Sequence, residues 1–251
     1  MVYMDDPTPE PVSCGVPMES IHIQRRPGES GLPLARARNT AAANASTERL
    51  VFLDVDCIPS AQAFARLLQG LQEHSALVMA EPRYLREPIG VGATPYDSTL
   101  ADLSIPHHAR AVLSTGVPCD MHEHFWSLGF AISARHFERI GGFCLEYSGY
   151  GAEDTDFAFT ARHHDIPVVF TRAVVFHQHH GVYKPPLNHF EAIVANATWF
   201  HGRWGLWPME GWLDAFARMG LVRWAANGPM LEILQHPTPL QIQDAHSQDA
   251  Y

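Results

Sequence analysis

Three groups of side chains in this sequence have types and spacings suited to chemistry. Asp54 and Asp56 follow the apolar run Leu50-Val51-Phe52-Leu53 and stand two residues apart. In an extended segment they point the same way, with Val55 turned back toward the core. Two carboxylates at the C-terminal end of a strand make a place for a hard divalent cation and the phosphates it carries. Glu153, Asp154 and Asp156 follow the glycine-rich Gly149-Tyr150-Gly151, and an acid there can serve as general base. The cluster His177-Gln178-His179-His180 closes the apolar run Val168 to Phe176, and an imidazole from it can share Mn2+ or Mg2+ with a carboxylate. The mixed oxygen and nitrogen set fits Mn2+ better, because Mg2+ keeps to oxygen.

Each group also has a plainer reading. Asp-x-Asp after an apolar run is commonly a solvated turn or a helix cap. Acids in the first turn of a helix complement its dipole. A lone histidine cluster is more often solvated surface or core. What favours a site is recurrence: all three groups fall at element ends that an α/β sheet can bring to one rim.

The elements that would position them can be read from pattern. The four apolar residues Leu50 to Leu53 suit a strand covered on both faces, and Pro59 suits the end of a ladder and the start of a helix. Val2 to Met4 reads as the end of a strand, Ile21 to Ile23 as a short strand and Gly28 to Gly31 as a turn in an irregular stretch from Glu10. Because Val2 to Met4 resembles the tail of a core strand, a preceding strand and helix are expected outside this chain. Helices are expected over Leu34–Ala45, Ala61–Glu73 (with Phe64, Leu67, Leu68 and Leu71 on one face), Ala134–Ile140, Asp154–His164, Asn188–Phe200 and Trp212–Trp224. Strands are expected over Ala76–Ala80, Phe125–Ser133 and Ile166–Phe176. Glu81 to Asp120 reads as a long polar excursion with one short helix near Ser98–Leu103, and residues 236–251 as a flexible tail. Alternating strands and helices give the α/β class, with a single domain over 1–235: a nucleotide-binding part (1–80) and an acceptor and catalytic part (81–235).

Composition narrows the function. With 251 residues, 46% apolar and 18% charged, the chain can bury one sizeable core. A formal charge of −10 argues against nucleic acid as a partner, since that would need a basic face. An anionic nucleotide would need a local metal or arginines, and Arg38, in the Leu34–Ala45 helix, is a candidate. The four cysteines, Cys14, Cys57, Cys119 and Cys144, form no C-x-x-C pair and read as thiols of a reducing compartment. No run approaches the length of a membrane span and Met1 to Met4 leads straight into Asp5-Asp6, so a cytoplasmic protein, able to dock peripherally on a membrane, is expected.

Taken together, the motifs resemble glycosyltransferases of the GT-A fold in family 2, with a C-terminal half like the galactosyltransferase type. Phe52-Leu53-Asp54-Val55-Asp56 is similar to their DxD motif. Gly141-Gly142-Phe143, followed by Gly149-Tyr150-Gly151-Ala152-Glu153-Asp154-Thr155-Asp156, is similar to their Gly-Gly-Phe…Gly-x-Gly-x-Glu-Asp-x-Asp signature. Phe176-His177-Gln178-His179 is similar to the metal-ligand histidine segment, and Asp5-Asp6 with Ala37-Arg38-Asn39 resembles the uracil-contacting pair and the helix after it. The resemblance spans roughly residues 1 to 210. It implies a mixed, mainly parallel sheet and inverting transfer of a sugar from a nucleotide-sugar, UDP-linked, to a hydroxyl of a saccharide, lipid-linked or small-molecule acceptor. It further implies that Asp56 with His177 or His179, the former favoured, binds the metal, and that Asp54 contacts the ribose or the metal's water shell. Asp5, Asp6 and Arg38 would contact the nucleotide, Asp154 would be the base and Glu153 would orient the acceptor. Trp126, Trp204 and Trp207 offer faces for stacking on sugars and equally suit burial. Two other readings remain open from sequence: a metal-dependent nucleotidyltransferase, and a non-catalytic sugar- or nucleotide-binding module.

Overall fold

The computed structural model describes residues 1–6, 16–27, 31–90, 97–110 and 113–248. Cys14, the first part of the irregular stretch from Glu10, most of the turn expected at 28–31 and two pieces of the 81–120 excursion lie outside them.

β1 (Val2–Met4) and β2 (Ile21–Ile23) form a small parallel pair, and α1 (Leu34–Ala43) packs on β1. The main sheet is built from β3 (Arg49–Leu53), β4 (Cys57–Pro59), β5 (Leu77–Leu85), β6 (Ser104–Pro106), β7 (Pro118–Cys119), β8 (Gly129–Ser133) and β9 (Val168–His177). Its order is β3-β8-β5-β9-β4, with β6 beside β5 and β7 beside β9. β5 and β9 pair parallel, and β8 pairs antiparallel with both β3 and β5. β3, β5 and β9 therefore run the same way, and Asp54 and His177 sit at the same rim.

Period-2 alternation divides the sheet between two cores. Leu77, Met79, Phe130, Ile132, Val168 and Phe170 face one side, where they meet Phe137 and Ile140 of α4 (Ala134–Ile140) and Phe157, Ala158 and Ala161 of α5 (Glu153–His163). Val78, Ala80, Ala131, Val169 and Val175 face the other, under Ala63, Leu67 and Leu71 of α2 (Ala63–His74). Phe64 lies off that stripe and is 45% exposed, contrary to expectation.

Other differences have local causes. β3 is an edge strand, so of its five residues only Leu50 is fully buried, but the expected cover on both faces is present: Leu50 and Phe52 pack into one core and Val51 and Leu53 against the other. Pro59 is the last residue of the edge strand β4 and so ends its ladder as expected, while α2 starts only at Ala63. The excursion contributes the end of β5, α3 (Asp97–Asp102), β6 and β7, whose short ladders carry too few residues to give a periodic signal. The strand expected from Phe125 starts at Gly129, after a 3-10 turn at His122–His124. The strand expected over Ile166–Phe176 is one ten-residue strand, with a register shift opposite Met79 to Glu81.

The C-terminal region has its own core, where α6 (Phe190–Trp204) and α7 (Glu210–Arg218) bury Phe190, Ile193, Ala197, Leu213 and Phe216. The helix expected to reach Trp224 stops at Arg218, because Gly220 turns the chain back into β11 (Val222–Arg223), paired with β12 (Glu232–Ile233). The segment expected as a loose tail is ordered from 239 to 247. Thr238 and Gln241 form a capping box on α8 (Pro239–Asp244), and β13 (His246–Ser247) pairs antiparallel with β10 (Val182–Tyr183). No helix among the described residues is long and apolar enough to cross a membrane.

Candidate metal and acid-base centre

Asp54 follows β3 and Asp56 precedes β4, so the connection between the strands is a tight turn closed by the Cys57 N–H donating to the Asp54 carbonyl at 3.0 Å. Val55 is thrown outward and is 88% exposed, not turned into the core. The expectation assumed an extended segment; a turn instead sends the two carboxylates to different partners.

Asp54 accepts from Arg38 Nη2 at 3.1 and 3.2 Å. Arg38 comes from α1 with only 10% of its side chain exposed, and its Nη1 reaches Glu153 at 3.4 Å while the guanidinium lies over the Phe143 ring. Burial works against its charge, but Asp54 and Glu153 outweigh that and hold its pKa above the ordinary value. Arg38 thus ties the end of β3 to the start of α5. It is engaged between two carboxylates, whereas the sequence expectation was a contact with the nucleotide.

Glu153 is buried and Asp154 half-buried. Burial, then the neighbouring Asp154, pushes the Glu153 carboxyl up to about 7. Burial likewise raises Asp154, against the pull of Arg38 and of backbone N–H bonds from Thr155 and Ser127. Asp156, the third acid, is structural: it takes Tyr147 Oη at 3.1 Å, Arg203 Nη1 at 2.9 Å and Trp204 Nε1 at 2.7 Å. Trp204 is thereby engaged in the fold, and Trp207 is buried with its Nε1 on the Gly228 carbonyl. Trp126 is half-buried, edge-on to His107.

Two asparagines hold the acidic loop. Asn39 exchanges both its amide bonds with the Phe143 backbone at 2.8 Å, and a Cβ at Gly142 would lie 2.6 Å from its Oδ1. Asn196, buried on α6, donates to the carbonyls of Ser148, Tyr150 and Gly151 and accepts from the Ser148 N–H. Gly151 has φ +103°, and a side chain there would also strike Met209. Ala152 is held at φ 70° just ahead of the two acids. Asn196 escaped the sequence reading; its one signal is an amide within the apolar run Ile193 to Ala197.

Asp56 faces the histidines. His177 Nε2 is 3.4 Å and His180 Nε2 4.0 Å from Asp56 Oδ2, and ligand atoms of these three residues all lie within 4.8 Å of one another. The Nδ1 atoms of His177 and His180 each lie 3.0 Å from a backbone carbonyl, of Gln178 and Gly181 respectively. A carbonyl only accepts, so Nδ1 carries the proton and Nε2 presents its lone pair. Burial lowers the His177 pKa, against the pull of Asp56, favouring the neutral ligand form. One carboxylate and two such imidazoles fit a divalent transition-metal ion. His179 turns away, its Nε2 on the Gln248 carbonyl at 2.7 Å. Cys57, buried beside Asp56, has its thiol pKa raised by burial and by the two aspartates. Asp5 is paired with Arg25 on the small β1–β2 sheet, and Asp6 follows it, exposed.

The family model described as glycosyltransferase like family 2 matches residues 18–182. A stretch of 48 residues is 35% identical to validoxylamine A glucosyltransferase of Streptomyces hygroscopicus subsp. jinggangensis, covering 19% of this chain and 11% of that protein. Among solved structures, GalNAc-T7 with UDP, GalNAc and Mn2+ is similar with a TM-score of 0.44 and 16% identity, over 63% of this chain and 32% of that one. The mannosyltransferase PcManGT from Pyrobaculum calidifontis, in complex with GDP-Man and Mn2+, is similar with a TM-score of 0.42 and 15% identity, over 84% of this chain and 49% of that one. The chain thus spans 11% of the curated relative's length and under half of either structure.

Proposed function

The chain belongs to the glycosyltransferase family 2-like group, and from that premise we propose that it moves a sugar from a UDP-linked donor to an acceptor hydroxyl with inversion at the anomeric carbon. Its mixed sheet flanked by helices is of the GT-A type. The observation that carries the reading is the convergence of Asp56, His177 and His180 within 4.8 Å at the rim where Arg38 joins Asp54 to the Glu153-Asp154 pair.

In this reading Asp56, His177 and His180 hold a divalent ion, Mn2+ ahead of Mg2+. When bound, such an ion neutralises the diphosphate as the glycosidic bond breaks. Asp154 takes the proton from the acceptor hydroxyl; its half-buried position and raised proton affinity support that role. Glu153, buried against Arg38, acts at one remove by fixing the start of α5. Asp54, held by Arg38, keeps the turn before Asp56 in place and offers its exposed side to the ribose or to metal-bound water. Asp5 and Asp6 are assigned to the nucleobase on the resemblance alone. One base and one in-line displacement imply inversion.

The test is a thermal-shift screen of nucleotide-sugars with Mn2+ present, followed by NMR of the product formed from the donor that binds. Metal-dependent turnover with inverted anomeric configuration is expected. A retained configuration sinks the single-displacement mechanism. Donor binding that Asp56→Ala abolishes, with no turnover in the wild type, favours a binding module instead.

A further inference from the structure

Residues 245–248 run across the loop that follows the metal-facing histidines. Val182 pairs with Ser247 and Tyr183 with His246, and the Lys184 N–H donates to the Ala245 carbonyl at 2.8 Å. The His246 ring lies tilted against Tyr183, with ring centroids 5.0 Å apart. Gly181 lies so close beneath this segment that a Cβ there would come within 2.3 Å of His246 Nε2. The Gly181 carbonyl is the acceptor of His180 Nδ1, and the Gln248 carbonyl is the acceptor of His179 Nε2.

We infer that residues 245–248 are a positioning strap that decides which histidine joins Asp56 and His177. The inference rests on the metal reading above and adds to it a support supplied from far along the chain. The strap acts twice. It ties up Nε2 of His179, so that imidazole cannot turn to Asp56. It also fixes Gly181, whose carbonyl orients His180 with Nε2 forward. Backbone carbonyls that orient metal-bound histidines in this way commonly govern affinity by an order of magnitude or more.

The full-length protein with Ser247→Pro, which removes a ladder N–H without touching the histidines, is compared with Ser247→Ala, which keeps it. Mn2+ binding is read from loss of the free-ion electron paramagnetic resonance signal, without donor or acceptor. Ser247→Pro is expected to weaken Mn2+ about tenfold, and Ser247→Ala to track the wild type. Combining Ser247→Pro with His180→Ala is expected to cost no more than His180→Ala alone, because the loss runs through His180 and a released His179 can only restore a ligand. Should Ser247→Pro melt before the measurement, Gly181→Val, which wedges the strap away from below, takes its place. Unchanged Mn2+ affinity in the folded variant overturns the inference, as do losses that multiply in the double variant. A wild type that holds no Mn2+ at all removes the metal reading itself, and that result is distinct from either.

Discussion

The acid pair at 153 and 154 divides two roles that the bare sequence leaves in one dipeptide. Asp154 is half-buried with a raised proton affinity, whereas Glu153 is buried on Arg38. Asp154→Asn is expected to lower Mn2+-dependent UDP release from the donor by about 10²–10⁴-fold while calorimetric UDP affinity holds, since the amide keeps the shape and loses the base. Glu153 has a consequence for stability. Its folded pKa of about 7 stands above the ordinary 4.5, so between those values the folded chain keeps a proton that the unfolded chain releases. Stability therefore falls as pH rises through that window and levels off above it. Glu153→Gln cannot ionise, so in metal-free urea titrations the wild type should lose roughly 2 kcal/mol relative to this variant between pH 4.5 and 7. An unchanged difference across that range would mean that Arg38 already holds Glu153 ionised.

At the scale of elements, legibility followed the length of the pattern. α1, α5 and β9 were readable because each carries either about three turns of helix signal or a long apolar run, and the shorter α4 because Gly141-Gly142 marks its end. The Asp54–Asp56 connection was not, because three residues cannot distinguish the last step of a strand from a turn, and Val55 fits either until its surroundings are known. Asn196 illustrates the complementary gap: its partners are the carbonyls of Ser148, Tyr150 and Gly151, more than forty positions earlier. Asn196→Ala would strand those carbonyls in a half-buried loop. It is expected to cost about 2–3 kcal/mol in chemical denaturation and to lower turnover beyond what lost stability explains, by loosening the turn ahead of Glu153. Asn196→Ala with wild-type stability would mean that Gly149 to Ala152 hold their shape unaided.

Across the whole molecule, the core is carried by the two faces of one sheet and by the α6–α7 cluster, none of which contains the metal-facing residues. Chelators are therefore expected to leave the melting temperature of the apo protein unchanged. Mn2+ with UDP at about a hundred times their dissociation constants should raise it by roughly 5–10 °C, read by scanning fluorimetry. The meeting of Asp56 with His177 was legible because each closes a short motif at the end of an apolar run. The choice between His179 and His180 was not, because it is made by a carbonyl 69 positions after His179. That separation bears on how the protein is made. A nascent chain that has just exposed His177 to His180 has all three metal-facing side chains but not the backbone that aims one of them. At a synthesis rate of about 5–20 residues per second, the remaining stretch takes on the order of 3–14 s to appear. During that interval the sheet can close without the strap, so on the proposed reading metal capture would follow folding of the core.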